Sequence, residues 1–150
     1  MKSFRQELIH QIENQLRQKQ SIISLEIKSI SDASGNDQKS SAGDKHETSR
    51  EMMRQELDIL EQNLIEINKE IEELNSIKNH IPGKRISRGS LVQTNNGYFL
   101  VAAISGKITL HKITVIFIST EAPFTKAIWG LSAGQNYSFR GAEGQIINVN

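Results

Sequence analysis

Apolar residues recur at helical spacing through the first half of the chain, and the pattern changes period after residue 88. From Ser3 to about Ile30 there is no Pro or Gly. Ile9, Ile12, Leu16, Ile23 and Ile30 form a stripe at 3–4 spacing, interrupted by Lys19 and Glu26. In a second segment Met53, Leu57, Leu60, Leu64, Ile67, Ile71 and Leu74 are spaced 4, 3, 4, 3, 4, 3, an unbroken heptad seam flanked by Glu-rich faces. Met52 and Met53 read as seam packing at the start of that helix. Pro82 and Gly83 stop it. The pattern predicts two helices, the second over about Lys45 to Asn79 and roughly 50 Å long at 1.5 Å per residue. Joined by one loop, they form an antiparallel coiled-coil hairpin over residues 1–80. Ser, Gly, Asn and Asp place the tip loop at about 31–44.

Beyond a basic hinge at 81–88 the residues are β-rich. Ser90 to Thr94 and Tyr98 to Ile104 flank Asn95-Asn96-Gly97, a hairpin turn signal. Lys107 to Leu110, Ile113 to Ser119, Gln135 to Phe139 and Ile146 to Val149 are further strands, and Thr125 to Leu131 is a short helix. The expected fold class is α+β, with a small, mainly antiparallel sheet domain over 89–150. Phe99, Phe117, Trp129, Tyr137 and Phe139 are its expected aromatic core.

Charge sharpens the division. The 150 residues carry a formal net charge of +1. Residues 1–79 hold 11 Lys/Arg against 15 Asp/Glu, a net of −4, and residues 80–150 hold 7 against 2, a net of +5. Such asymmetry points to a charged partner. Lys84, Arg85 and Arg88 are the densest basic patch, read either as a solvated hinge or as a contact for nascent RNA or an acidic protein surface. With no aromatics interleaved there, a single-strand stacking platform is not expected. Zero cysteines exclude disulfides, thiolate zinc and a cysteine nucleophile. A condensing enzyme such as a 3-oxoacyl-ACP synthase, which uses a cysteine nucleophile, is excluded with them. No apolar run approaches membrane-spanning length and the start lacks a signal-peptide core, so a soluble cytoplasmic protein is expected.

The candidate chemistry lies in Gly43-Asp44-Lys45-His46-Glu47-Thr48. Carboxylates three residues apart at a helix start share one face. Asp44 at the N-cap with Glu47 at N3 forms a capping-box pattern, and acids favour a helix N-terminus. The same pair could instead help hold Mg²⁺, provided a partner supplied the remaining oxygen ligands.

This hexapeptide resembles the tip motif Gly-Asp-x-x-Glu-[Asn/Thr] of the Gre-type bacterial transcript cleavage factors, in which a coiled-coil hairpin precedes an FKBP-like domain. A second motif, Ile-Ser-x-x-Ser-Pro-x-x-[Lys/Arg]-[Ala/Gly]-Leu-x-Gly, resembles the stretch from Ile118 through Ser119, Glu121, Ala122, Pro123 and Phe124 to Gly130, and Gly89-Ser90-Leu91-Val92 also fits. The resemblance implies docking of the C-terminal domain through Ser119, Glu121, Ala122, Pro123 and Phe124 at the rim of the RNA polymerase secondary channel. The hairpin would enter the channel as a monomer, where Asp44 and Glu47 would share a polymerase Mg²⁺ and promote cleavage of backtracked RNA. The chain would then be no enzyme of its own and have no cofactor beyond that shared ion. A channel-binding regulator without cleavage activity is the alternative. Three features depart from the family: a longer tip loop, Ala122 in place of Ser, and no Glu-Ala-Asp stretch near Ser105-Gly106-Lys107.

Overall fold

The structure, a computed structural model, describes residues 3–37, 44–80 and 82–150, with the side chains of 34–37 and 44–46 outside that description. Helix α1 spans Phe4–Asp37 and α2 spans Asp44–Lys78. Strands β1 (Leu91–Thr94), β2 (Gly97–Val101), β3 (Lys107–Leu110) and β4 (Ile113–Ile118) follow. Helix α3 (Pro123–Ile128), β5 (Asn136–Phe139) and β6 (Ala142–Val149) complete the chain. The expected class holds: a helical hairpin followed by a mostly antiparallel sheet.

A capping box starts α1. Gln6 N–H donates to Ser3 Oγ at 3.2 Å, and Ser3 N–H donates to Gln6 Oε1 at 2.9 Å. The helix then continues to Asp37, through seven residues that composition assigned to the loop. Ser31, Asp32 and Ala33 are exposed, and each such residue costs a helix only some tenths of a kcal/mol relative to Ala. A helix already nucleated absorbs that cost.

Two compact units divide the chain: Asn14–Lys69, and Met1–Glu13 together with Glu70–Asn150. The helix ends therefore belong with the sheet, and the boundary expected near residue 80 lies some ten residues into α2.

In the hairpin unit Ile23, Ile27 and Ile30 of α1 and Met53, Leu57, Leu60, Leu64 and Ile67 of α2 are half-buried. Lys19 and Glu26, expected within the seam, are exposed. Gln20 and Ile27 take those seam positions, since one residue of shift restores the 4-3 spacing from Leu16 to Ile30. Gln20 Nε2 donates to Asn68 Oδ1 at 2.8 Å, so the polar residues on each helix satisfy one another. Met52 lies outside the seam and is 66% exposed.

In the other unit the helix ends contribute Leu8, Ile9, Ile12, Ile71, Leu74 and Ile77, all buried. The six strands run in the order β3-β4-β2-β1-β6-β5. Every pairing is antiparallel except β2 with β4, which are parallel because β3 intervenes in sequence. Asn95-Asn96 forms the β1–β2 turn as expected, Thr94 pairing with Gly97. His111-Lys112 and Arg140-Gly141 make the other two-residue turns, with φ of 49° and 67°, and of 51° and 79°. Positive φ at both positions is what type I′ hairpins need.

Alternation places Val92, Val101, Ile118 and Ile146 on one face of the sheet, packed with Ile86, Ile128 and Tyr137. Phe124 of α3 stacks over Phe99, Tyr137 and Phe139 at centroid distances of 4.8, 5.6 and 5.3 Å. Gly144, opposite Tyr137 in the ladder, leaves the space that ring occupies, and any Cβ there would meet it. Leu91, Leu100, Val115 and Phe117 point to the other face and are buried as well. The sheet is covered on both sides.

Candidate functional site

The acidic motif coincides with a structural boundary. Helix α2 begins at Asp44, which places Glu47 within its first turn, where it is exposed. At that spacing the two residues share a helix face. The Asp44 side chain, like those of Lys45 and His46, lies outside the described residues, as does Gly43. Among the described residues no group of three or more His, Asp or Glu side chains gathers in a way that could hold a metal ion. A pair of carboxylates alone leaves most of an octahedral Mg²⁺ shell to water and to oxygens from elsewhere.

The segment between β4 and α3 is built around Pro123. Ala122 is the N-cap of α3, with φ −64° and ψ 138°, and Pro123 occupies the first turn. Ala122 N–H donates to Ser119 O at 3.2 Å, closing the turn before the helix. No side chain caps this helix. Thr125 Oγ1, one turn in, is buried without a hydrogen-bond partner in the protein. Among the expected docking residues, Glu121 and Pro123 are exposed, whereas Ser119 and Ala122 are half-buried. Phe124 differs: it belongs to the aromatic core beneath the helix and sets the loop from below.

Trp129 departs from the expected core and is 48% exposed. Helix α3 turns Thr125 and Ile128 inward. Trp129, at its C-cap with ψ 131°, leaves the helical path directly after Ile128. Only the end point of the helix decides that outcome, and boundaries are poorly encoded in periodicity.

The basic segment is not a free linker. Ile86 is buried in the core, its N–H donates to Leu131 O at 2.8 Å, and its carbonyl accepts from Gly130 N–H at 2.9 Å. Arg88 grips Glu73 with two hydrogen bonds of 2.9 and 2.6 Å and reaches Ser76 Oγ at 2.6 Å. Lys84 and Arg85 remain exposed. The structure thus separates the three expected patch residues, since Arg88 spends its charge on a carboxylate inside its own unit.

Periodicity gave no sign of the network around that pair. Glu73 also accepts from Ala103 N–H at 3.3 Å, and Glu70 accepts from Ser105 N–H at 3.0 Å. Arg5 donates to Gly89 O at 2.9 Å and to Ile77 O at 3.0 Å. The hydrogen bond from Arg88, aided by the Ala103 amide, holds the Glu73 carboxyl below its ordinary pKa, against the opposing effect of burial. Gly89 has φ +89°, and a Cβ there would lie 3.3 Å from Ile77 Cβ. That close approach gives the Gly-Ser-Leu-Val match a packing reason.

No family model and no curated protein matches the chain. Among solved structures, the chain is similar to the structure of the transcription factor Gfh1, at 16% identity over 91% of this chain and 92% of that one, with a TM-score of 0.36.

Proposed function

We propose that this chain is a transcription elongation factor that binds RNA polymerase through its secondary channel and stimulates cleavage of backtracked RNA. The observation that carries the reading is the coincidence of Gly43-Asp44-Lys45-His46-Glu47-Thr48 with the start of α2, in a chain whose hairpin precedes a small β domain. Glu47 is exposed in that first turn, where it can meet a partner. On this reading the β domain docks at the channel rim through Glu121 and Pro123, while Phe124 supports their loop. A single chain enters the channel of a cytoplasmic, bacterial-type polymerase.

The chemistry needs little from the chain itself. In two-metal hydrolysis one ion activates the attacking water and the other stabilises the leaving oxygen. Polymerase holds most ligands of both, and Asp44 and Glu47 add negative charge where the second Mg²⁺ binds weakly. The nuclease is the polymerase, and this chain raises its metal occupancy.

The non-cleaving alternative draws on the loop at Ala103–Ser105. Where the Gre-type factors carry a Glu-Ala-Asp stretch, this loop has no acids, and its amides are occupied by Glu70 and Glu73. The two readings separate in one assay. Added to stalled, backtracked complexes, the wild type is expected to release short 3′ RNA fragments. Asp44→Asn with Glu47→Gln is expected to abolish release with binding intact. Binding without release by the wild type would establish the non-cleaving regulator, and absence of binding would discard both.

A further inference from the structure

Five of the eight large apolar side chains exposed among the described residues belong to the hairpin unit: Ile22, Leu25, Met52, Ile59 and Ile65. Three of them share a flank. Ile22, Met52 and Ile59 each directly precede a seam residue, Ile23, Met53 and Leu60. In an antiparallel helix pair that offset falls on the same side of both helices. Ile65 follows the seam residue Leu64 and falls on the opposite side, beside Arg54, Asp58 and Glu61.

The Gln20–Asn68 hydrogen bond fixes the level of one helix against the other. From it, Ile22, Ile59 and Met52 follow one another along the flank at intervals of about 10 Å, seven residues each. They are 56%, 62% and 66% exposed, and the seam behind them is only half-buried. Two helices of this unit, about 30 Å long and 20 Å across together, present roughly 600 Å². That approaches the roughly 800 Å² per partner of a standard interface.

We propose that this flank is a self-association surface, on which a second copy of the chain packs to form an antiparallel four-helix layer. The charges favour a second copy over an unrelated partner. A two-fold arrangement that sets Ile22 beside Ile59 of the second copy also brings Lys19 level with Glu56 of that copy, twice over. The packing covers both the flank and the half-buried seam. It does not depend on the polymerase reading, although a chain paired in this way would have to separate before its hairpin entered a narrow channel.

Sedimentation velocity of the full chain between about 1 and 200 μM tests the proposal. The expected result is a shift from 16.9 kDa towards twice that mass as concentration rises. Ile59→Glu should weaken the association at least tenfold, whereas Ile65→Glu on the other flank should leave it unchanged, with circular dichroism confirming helix content in both. Lys19→Glu should weaken it about fivefold, and adding Glu56→Lys should restore it. A single-chain mass throughout, equal effects of Ile59→Glu and Ile65→Glu, or no restoration by the charge swap would each overturn the proposal.

Discussion

The same heptad writing runs through both units and meets two different fates. At the helix ends Ile12, Ile71, Leu74 and Ile77 are essentially inaccessible, whereas Ile23, Leu57, Leu60 and Leu64 in the hairpin unit stay half-buried. A helix pair alone can cover a seam on one side only. Full burial needs a third layer, and the helix ends belong to the unit that contains one. Hydrophobic burial scales with area removed from water, so stability is concentrated where the third layer exists. The hairpin unit is left closer to the marginal stability of isolated helix pairs.

Paired truncations would break this comparison if it is wrong. Leu74→Ala, at a site 1% exposed, should cost about 3 kcal/mol, and Leu64→Ala roughly half as much, read from urea unfolding midpoints. Equal costs would mean that the two seams are equivalent.

Arg88→Ala tests what fastens the helix end to the sheet. It removes two charge-assisted hydrogen bonds and leaves Glu73, whose side chain is 14% exposed, with its amide donor alone. The expected loss is about 1.5 kcal/mol in the same unfolding experiment, and in hydrogen exchange the Ala103 and Ser105 amides should lose protection first.

Ala122→Ser addresses the sheet unit from the opposite direction. A hydroxyl at the N-cap of α3 would accept from a first-turn amide, so the substitution should stabilise by about 1 kcal/mol, seen as a raised thermal midpoint. No gain would mean that the Pro123 turn already satisfies those amides.

The smallest effect concerns pH. Because the folded-state pKa of Glu73 lies below the ordinary value of 4.5, its contribution is complete above that value. It is lost as pH falls through the lower folded value. The span should be less than about 1 kcal/mol, since water screens a partly exposed pair. Glu73→Gln should flatten this part of the stability profile between pH 5 and 3, to about the same extent.

Legibility followed the same division. Helix α2 was expected over about Lys45 to Asn79 and spans Asp44–Lys78, and the Asn95-Asn96 turn falls where its residues demand it. Strong periodicity and turn chemistry are local, and a sequence carries local signals directly. The misses were tertiary. Nothing local says that β3 would separate β2 from β4 in sequence and leave them parallel, that Arg88 would pair with a carboxylate fifteen residues back, or that Trp129 would turn outward. The end of α1 was missed because weak helix breakers at an exposed terminus cost less than the ladder gains. Of the candidate site, the acidic motif was legible as a pattern. Its meaning depends on a partner's ligands, which no single chain encodes.

The central claim is that Asp44 and Glu47 reach a metal held by RNA polymerase. Replacing the polymerase active-site Mg²⁺ with Fe²⁺ and adding peroxide generates hydroxyl radicals that cut polypeptide within a few ångströms of the ion. With end-labelled chain bound to such a polymerase, the account predicts cleavage confined to the neighbourhood of residues 38–50, lost when the complex is not formed. Cleavage within 89–150 instead, or none near Asp44 in a demonstrated complex, would contradict it.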